Sequence, residues 1–309
     1  MTKYKLLPIT TKYWKPGQNY VTQIIQAING KIQDNDIIAL SEKAISTAAK
    51  NITDESKISA TFTARFISAF WMRTIWGYVL GPMCRLKPRL LNQIRHYPKA
   101  EGSRHKQVAL QQAGLLQALM FGSEGAIDGS NLPYSYVSLP LKNPEKTAET
   151  IREEILRRLG KRISVIIVDT DKTYSYRNFH FTPRPTPLKG IKSHGGFLAY
   201  VVGRFFKLKK RATPLALSGN HLSVEEVLRI AEISNRSRGY GTGRTVWEMT
   251  ENFKVGFTEV TWEMLDRAKH KPIVLVRTIE ENHVGRKNPS LERLLQPTIS
   301  SYRRRNQKS

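Results

Sequence analysis

The sequence predicts a fold in which buried strands alternate with amphipathic helices, and three observations carry that prediction. Short apolar runs rich in β-branched residues recur at Tyr4 to Ile9, Asp36 to Leu40, Ile163 to Val168 and Pro272 to Ile279. Each has the length of a strand. Between them lie segments with apolar residues at helical spacing, among them Asn19 to Ile28 and Pro144 to Leu159. A hydrophobic fraction of 40% with 12 Tyr, 11 Phe and 5 Trp is enough to offset the entropy of ordering, which excludes a globally disordered chain.

In chain order, the first strand is followed by a turn at Lys15-Pro16-Gly17. The first helix places Val21, Ile24, Ile25 and Ile28 on one face and stops at Asn29-Gly30. The strand ending at Leu40 runs directly into Ser41-Glu42-Lys43. A lysine just beyond a strand end is a point charge suited to a phosphate, although a lone lysine is more often simply solvated. Phe62 to Cys84 is the most apolar stretch and contains Arg65 and Arg73. An arginine at a bilayer centre costs about 2.5–3.5 kcal/mol. The stretch therefore reads as a buried or dimer-facing helix, with Phe66, Phe70, Trp71 and Ile75 at helical spacing. Arg85 to Tyr97 is a basic amphipathic helix ended by Pro98, and the segment 109–120 fits either a helix or two strands about Gly114.

Leu139 to Leu141 is extended, and Asn143 with Pro144 opens a helix that turns Ile151, Ile155 and Leu159 inward and ends at Gly160. After the Ile163 strand, Asn178 to Thr182 is a further strand candidate, and Pro183 to Pro187 is an extended connector. His194 precedes Gly195 and Gly196, then an apolar strand or helix, then the charge run Arg204 to Arg211. Ser223 and Glu226 form a capping box for a helix to about Asn235. Ser237 to Thr245 is a glycine-rich loop, Thr261 starts a short helix, and beyond Asn282 the chain is polar and basic.

Two stretches carry the chemistry. In Gly122 to Asn131, Gly122, Gly125 and Gly129 free the backbone to turn, so Asp128, Ser130, Asn131 and main-chain N–H groups can meet one ligand. Asp169 closes the apolar run Ile163 to Val168, at the kind of strand end where α/β sheets commonly bind ligands. Two carboxylates from separate loops suit Mg²⁺, which takes a few carboxylates together with phosphate oxygens. The plainer alternative is that Asp128 makes an Asx-turn and Asp169 caps the next segment.

Composition narrows the classes. One cysteine, Cys84, excludes an internal disulfide framework and any cysteine-based zinc cluster, and fits a reducing cytoplasm. The N-terminal residues lack the apolar core of a secretory signal. With 50 Lys+Arg against 25 Asp+Glu the net charge is +25, which expects an anionic partner.

At this point a resemblance becomes specific. Pro8-Ile9-Thr10-Thr11, the strand followed by Ser41-Glu42-Lys43, Ala126-Ile127-Asp128-Gly129-Ser130-Asn131, the Asn143-Pro144 helix start and the strand ending Asp169-Thr170 occur in one order. In order and spacing the chain resembles the γ-glutamyl ligases of the deazaflavin coenzyme F-420 across most of its length. The resemblance implies an α+β fold with mixed sheets and flanking helices in two domains, residues 1–135 and 136–285, before a basic flexible tail at 286–309. It implies a homodimer in which GTP phosphorylates a carboxylate and L-glutamate attacks the acyl phosphate, with Mg²⁺ or Mn²⁺ and a monovalent cation. GTP would be held by Pro8, Ile9, Thr10, Thr11, Ser41, Lys43 and Asn131, and the metal by Asp128, Asp169 and Thr170. Lys43, Asp128 and Asp169 would form the catalytic set.

The departures are informative. Where the family continues through Gly-Arg-Pro-x-Arg after its second aspartate, Arg177 is the counterpart expected here, while Gly203-Arg204 is retained from a later motif. The late loop lacks the family's carboxylate or amide for a second metal. Instead it carries Gly239, Gly241 and Gly243 for close backbone approach to a phosphate, with Arg238 and Arg244 as cations. The reading is thus a ligase acting on an anionic acid and L-glutamate, with no membrane partner. The alternative is a non-catalytic or re-purposed paralogue binding nucleic acid or another polyanion through its basic surface, with runs such as Arg204 to Arg211 and Tyr302 to Arg305.

Overall fold

The computed structural model describes residues 2–279 apart from Ser123, so the expected basic tail lies outside the described residues. Its strands are β1 (Lys3–Thr11), β2 (Ile37–Ser41), β3 (Ile52–Asp54), β4 (Tyr136–Ser138), β5 (Ser164–Tyr176), β6 (Phe179–Thr182), β7 (Lys192–Ser193), β8 (Lys209–Ser218) and β9 (His270–Ile279). Seven of them make one mixed sheet in the order β1-β9-β2-β5-β6-β7, with β8 also paired to β5, and β3 and β4 form a separate pair. Only β2 with β5 and β6 with β7 run parallel.

The central strands are apolar on both faces because both are covered. Ile38, Leu40, Val165, Ile167, Ile273 and Leu275 pack with Ile24, Ile28, Ile45, Ile151 and Ile155 from helices Tyr20–Ile28, Glu42–Ala48 and Pro144–Leu159. Their alternate neighbours Ile37, Ala39, Ile166, Val168, Val274 and Val276 pack with Val227, Ile230 and Ala231 of helix Val224–Arg238. Side chains alternate across a strand, so near-continuous Ile, Val and Leu signals a sheet buried between two layers. This is the α+β arrangement of mixed sheet and flanking helices that the sequence pointed to.

A second core is mainly helical and lies around Trp76, Met72, Val108 and Ile127. Its apolar helix runs from Phe62 through Met83, and Ile67–Leu80 within it is wound as a π-helix. The wider turn changes which residues face inward. Ile67, Met72 and Trp76 are buried, whereas Phe66 and Phe70 are exposed and stack on each other at 5.2 Å. Of the face expected at Phe66, Phe70, Trp71 and Ile75, Trp71 packs on this core, whereas burial within the chain is corrected for Phe66 and Phe70. No helix among the described residues is long and apolar enough to cross a membrane.

The chain from Lys99 resolves as helices, Lys99–Gln112 and Leu115–Ala118, with Gly114 at positive φ between them. Phe197–Phe205 is likewise a helix. Among the elements with no counterpart in the sequence reading are β8 and the helix Val246–Phe253. β8 opens on Lys209-Lys210-Arg211 and contains Pro214, features that argue against an interior strand. Pro214 is accommodated at a register shift opposite Ile167 and Val168. β5 also runs on to Tyr176, beyond the end expected at Asp169. A second register shift between Asp169 and Lys172 makes Thr170 and Asp171 extra residues of the ladder, and such bulges re-aim side chains without ending a strand.

Candidate active site

The parallel pair β2 and β5 stops at the register partners Ser41 and Val168. One residue further on are Asp169 on β5 and the first turn of helix Glu42–Ala48, which carries Lys43. This carboxyl edge opens on a cleft of about 550 Å³, whose walls include Ser41, Lys43, Asp128, Asn131, Asp169 and Thr170. Residues separated by more than a hundred positions are therefore gathered at one ligand-sized space.

Asp128 is fixed first by its backbone. It forms an antiparallel bridge with Ser138 of β4, and the Ser138 hydroxyl also donates to the Asp128 carbonyl at 3.1 Å. Its carboxylate accepts from Ser130 N–H at 2.7 Å and Ser130 Oγ at 3.0 Å. This is the Asx-type turn of the plainer sequence reading. The same carboxylate, however, is the ion-pair partner of Lys43 Nζ, which also donates to the Ser130 carbonyl at 3.0 Å and to Ser130 Oγ at 2.9 Å. The turn and the charge pair are one unit.

Asp169 is paired differently. The buried guanidinium of Arg184 donates from Nη1 to Asp169 and from Nη2 to Glu42 Oε1 at 2.6 Å. Glu42 is buried as well and accepts from Leu141 N–H at 2.7 Å. Burial pushes the Glu42 carboxyl up, with Asp169 adding to the shift and Arg184 opposing it. One cation thus holds two carboxylates, and Arg184 Nε has no hydrogen-bond partner among the described residues. Sequence reasoning missed Arg184 as the partner of Asp169 and Glu42, because Pro183 and Pro185 on either side gave it the look of a connector. The expected Arg177 instead sits at positive φ in the exposed turn between β5 and β6, with its guanidinium 5.6 Å from the centre of the Tyr176 ring. Arg177 therefore lies away from the cleft wall, and the arginine that meets Asp169 is Arg184.

The glycine-rich loop closes the other side of the cleft, with Gly239, Gly241, Gly243, Arg238 and Arg244 in its wall. Asn131, itself at φ 58°, clamps it. Its Oδ1 accepts from Thr242 N–H and Thr242 Oγ1, both at 2.7 Å, and its Nδ2 donates to the Gly243 carbonyl at 3.0 Å. A Cβ on Gly241 would overlap Asn131 Oδ1, and one on Gly243 would sit 2.7 Å from Met249 N. The close approach these glycines permit in this structure is therefore to Asn131 and to the following helix. Arg238 ends helix Val224–Arg238, and burial lowers its guanidinium to about 10 against the pull of Asp169. Arg244 lies 4.2 Å over the Tyr240 ring.

Pro8, Ile9, Thr10 and Thr11 belong to β1 and are not in the cleft wall. The chain leaving them supplies Tyr13 and Trp14, which are. Thr11 Oγ1 lies 3.1 Å from Nδ1 of His270, a wall residue that burial lowers to about 4. No local signal distinguished Tyr13, Trp14 or His270.

Against known proteins, the description F420-0:Gamma-glutamyl ligase matches residues 8–197 of this chain. The chain belongs to that family. It is also 36% identical over 286 residues to an uncharacterized protein, MJ1361, of Methanocaldococcus jannaschii, covering 89% of this chain and 96% of that one. The family match spans Lys43, Asp128, Asp169 and Arg184 and stops before the glycine-rich loop.

The donor set can be judged against the divalent ion that the resemblance implies. Among the described residues, no three His, Cys, Asp or Glu side chains gather closely enough to hold a metal. Asp128, Asp169 and Thr170 offer hard oxygen atoms on one cleft. They fit an ion that arrives with triphosphate oxygens, since Mg²⁺ needs only one or two carboxylates in that case.

Proposed function

We propose that this protein is a metal-dependent, GTP-using ligase that activates a carboxylate of an anionic acid as an acyl phosphate and joins it to the amine of L-glutamate. The observation that carries the reading is that Lys43, Asp128 and Asp169 share the wall of one cleft at the carboxyl edge of β2 and β5, with Asp128 paired to Lys43 and Asp169 paired to the buried Arg184 behind the wall. A carboxylate is a poor acyl donor. Transfer of the γ-phosphoryl group to its oxygen gives a mixed anhydride and GDP, and attack by the glutamate amine forms the amide and releases phosphate with the amine's proton. Such transfers depend on positioning and on neutralising charge.

In this chain Lys43, held by Asp128 and Ser130, sets a cation against the phosphates. Arg184 orients Asp169 from behind, and Arg238 and Arg244 supply positive charge from the glycine-rich loop. Asn131 orders that loop, so it acts on the nucleotide through the loop's backbone. Asp128, Asp169 and Thr170 would hold Mg²⁺ or Mn²⁺, which supplies charge neutralisation to the triphosphate when bound. The enzyme works as a homodimer in the reducing cytoplasm, where the buried thiol of Cys84 stays unmodified.

The test is incubation with GTP or ATP, Mg²⁺ or Mn²⁺, L-glutamate and a panel of anionic acids including F420-0, followed by mass spectrometry. A product heavier by one glutamyl residue, formed with GDP and phosphate, is expected. Absence of nucleotide cleavage and of any adduct across the panel would overturn the reading.

A further inference from the structure

Of the charge run Arg204 to Arg211 only Lys210 reaches the wall of the ligase cleft, and the structure divides the run. Arg211 is buried and pairs with Glu225, and Lys209 pairs with the same carboxylate at 3.0 Å. The remaining cations, Arg204, Lys207 and Lys210, line one cavity of about 190 Å³ together with Arg85. Among the described residues no carboxylate lines that cavity. Arg204 is fixed by donating to the carbonyls of Cys84 at 3.1 Å and Arg85 at 3.3 Å. Lys210 is held below its usual value by burial and then by Arg204 and Lys172, which outweigh the pull of Glu232.

The same short segment presents apolar side chains to solvent. On helix Phe197–Phe205, Leu198, Val202 and Phe205 recur at one helical face and are 48%, 43% and 48% exposed, and Phe206 beside them is 64% exposed. They alternate in sequence with the cavity residues Gly203, Arg204 and Lys207. A cation-lined cavity of headgroup size and an apolar face therefore share one edge of the molecule.

We propose that this edge is a docking surface for an anionic lipid bilayer: the cavity takes a headgroup phosphate, and Leu198, Val202, Phe205 and Phe206 enter the boundary of the acyl chains. Interfacial helices bind in this way, through buried apolar area plus attraction to anionic lipid. The contact is peripheral and differs from the membrane span that the arginines of Phe62 to Cys84 exclude. A second copy is a poor occupant, because a two-fold contact lays a patch on itself and would bring Arg204 and Lys207 against their own images. Nucleic acid is a poor occupant too. Three or four cations converging on one small cavity suit a single phosphate rather than a row of them, and the leucine and valine offer no ring for bases to stack on.

The test is co-sedimentation of the full chain with vesicles of mixed anionic and zwitterionic phospholipid, and with zwitterionic vesicles alone, at physiological salt. Binding to the anionic vesicles only is expected. Lys207→Glu and, separately, Phe206→Ser, both outside the ligase cleft, should each weaken it by roughly tenfold or more while nucleotide cleavage is unchanged. Four results would overturn the proposal: no binding to anionic vesicles; binding that neither variant weakens; full competition by glycerol 3-phosphate, which marks a small-anion site; or a shift of oligomeric state or of RNA binding in Phe206→Ser without lipid binding in the parent. Ligase activity can fail or persist independently of every one of these outcomes.

Discussion

Asp128 accepts hydrogen bonds from Ser130 and faces Lys43, so Asp128→Asn keeps the turn and removes the charge. We expect a loss of about 10²–10³-fold in turnover, the size seen when one preorganised electrostatic group is removed, with stability lower by only about 1–2 kcal/mol. Steady-state kinetics beside a denaturant melt would check this, and retained turnover would count against the assigned role. Arg244 bears on a second residue-scale question. It stacks on Tyr240 rather than pairing with a carboxylate, so its guanidinium is available to an anion. Arg244→Ala should weaken triphosphate binding by about 1.5–3 kcal/mol. Equal affinities by calorimetry would leave the loop a solvated turn.

At the scale of elements, the loop carrying Asp128 is tied to helix Lys99–Gln112 by a buried ionic chain. Glu124 pairs with Lys106 and accepts from Gly122 N–H at 3.1 Å, and His105 lies between Glu55 at 2.6 Å and Glu124 at 2.9 Å. Burial pushes the Glu124 carboxyl up, but Lys106 and His105 outweigh it and hold it at about 2 rather than 4.5. Burial lowers His105, yet Glu55 and Glu124 raise it well above 6.5. The signs then follow. Glu124 contributes stability that is present above pH 4.5 and is lost as pH falls towards 2. His105 contributes stability that is present below 6.5 and is lost as pH rises through its raised folded value. Lys106, lowered by burial against Glu124, acts in the opposite sense, its penalty being relieved as pH rises towards 10.5. Denaturation midpoints should therefore be highest between these limits. Glu124→Gln should cost about 3–5 kcal/mol by stranding Lys106, and adding Lys106→Met should restore much of it. A double variant no better than the single would refute the ionic account.

Over the whole molecule, a net charge of +25 and a cleft wall that includes Lys43, Lys172, Lys210, Arg236 and Arg238 should draw in an anionic nucleotide. Raising salt from low to well above physiological strength should lower kcat/KM for GTP by about tenfold while changing kcat little, and a salt-independent kcat/KM would remove steering from the picture. The sequence by itself determined the elements whose signal is local. Alternating Ile, Val and Leu marked β2, β5 and β9, the capping residues marked helices Pro144–Leu159 and Val224–Arg238, and small flexible residues around Asp128 marked the loop that meets Lys43. Tertiary structure alone decided the rest. β8 is a strand despite its charges and Pro214, because pairing with β5 supplies partners that propensity does not predict. Arg184 reaches Glu42 across 142 positions. A buried guanidinium takes as partners whichever carboxylates the fold removes from water with it, and no spacing along the chain encodes that choice.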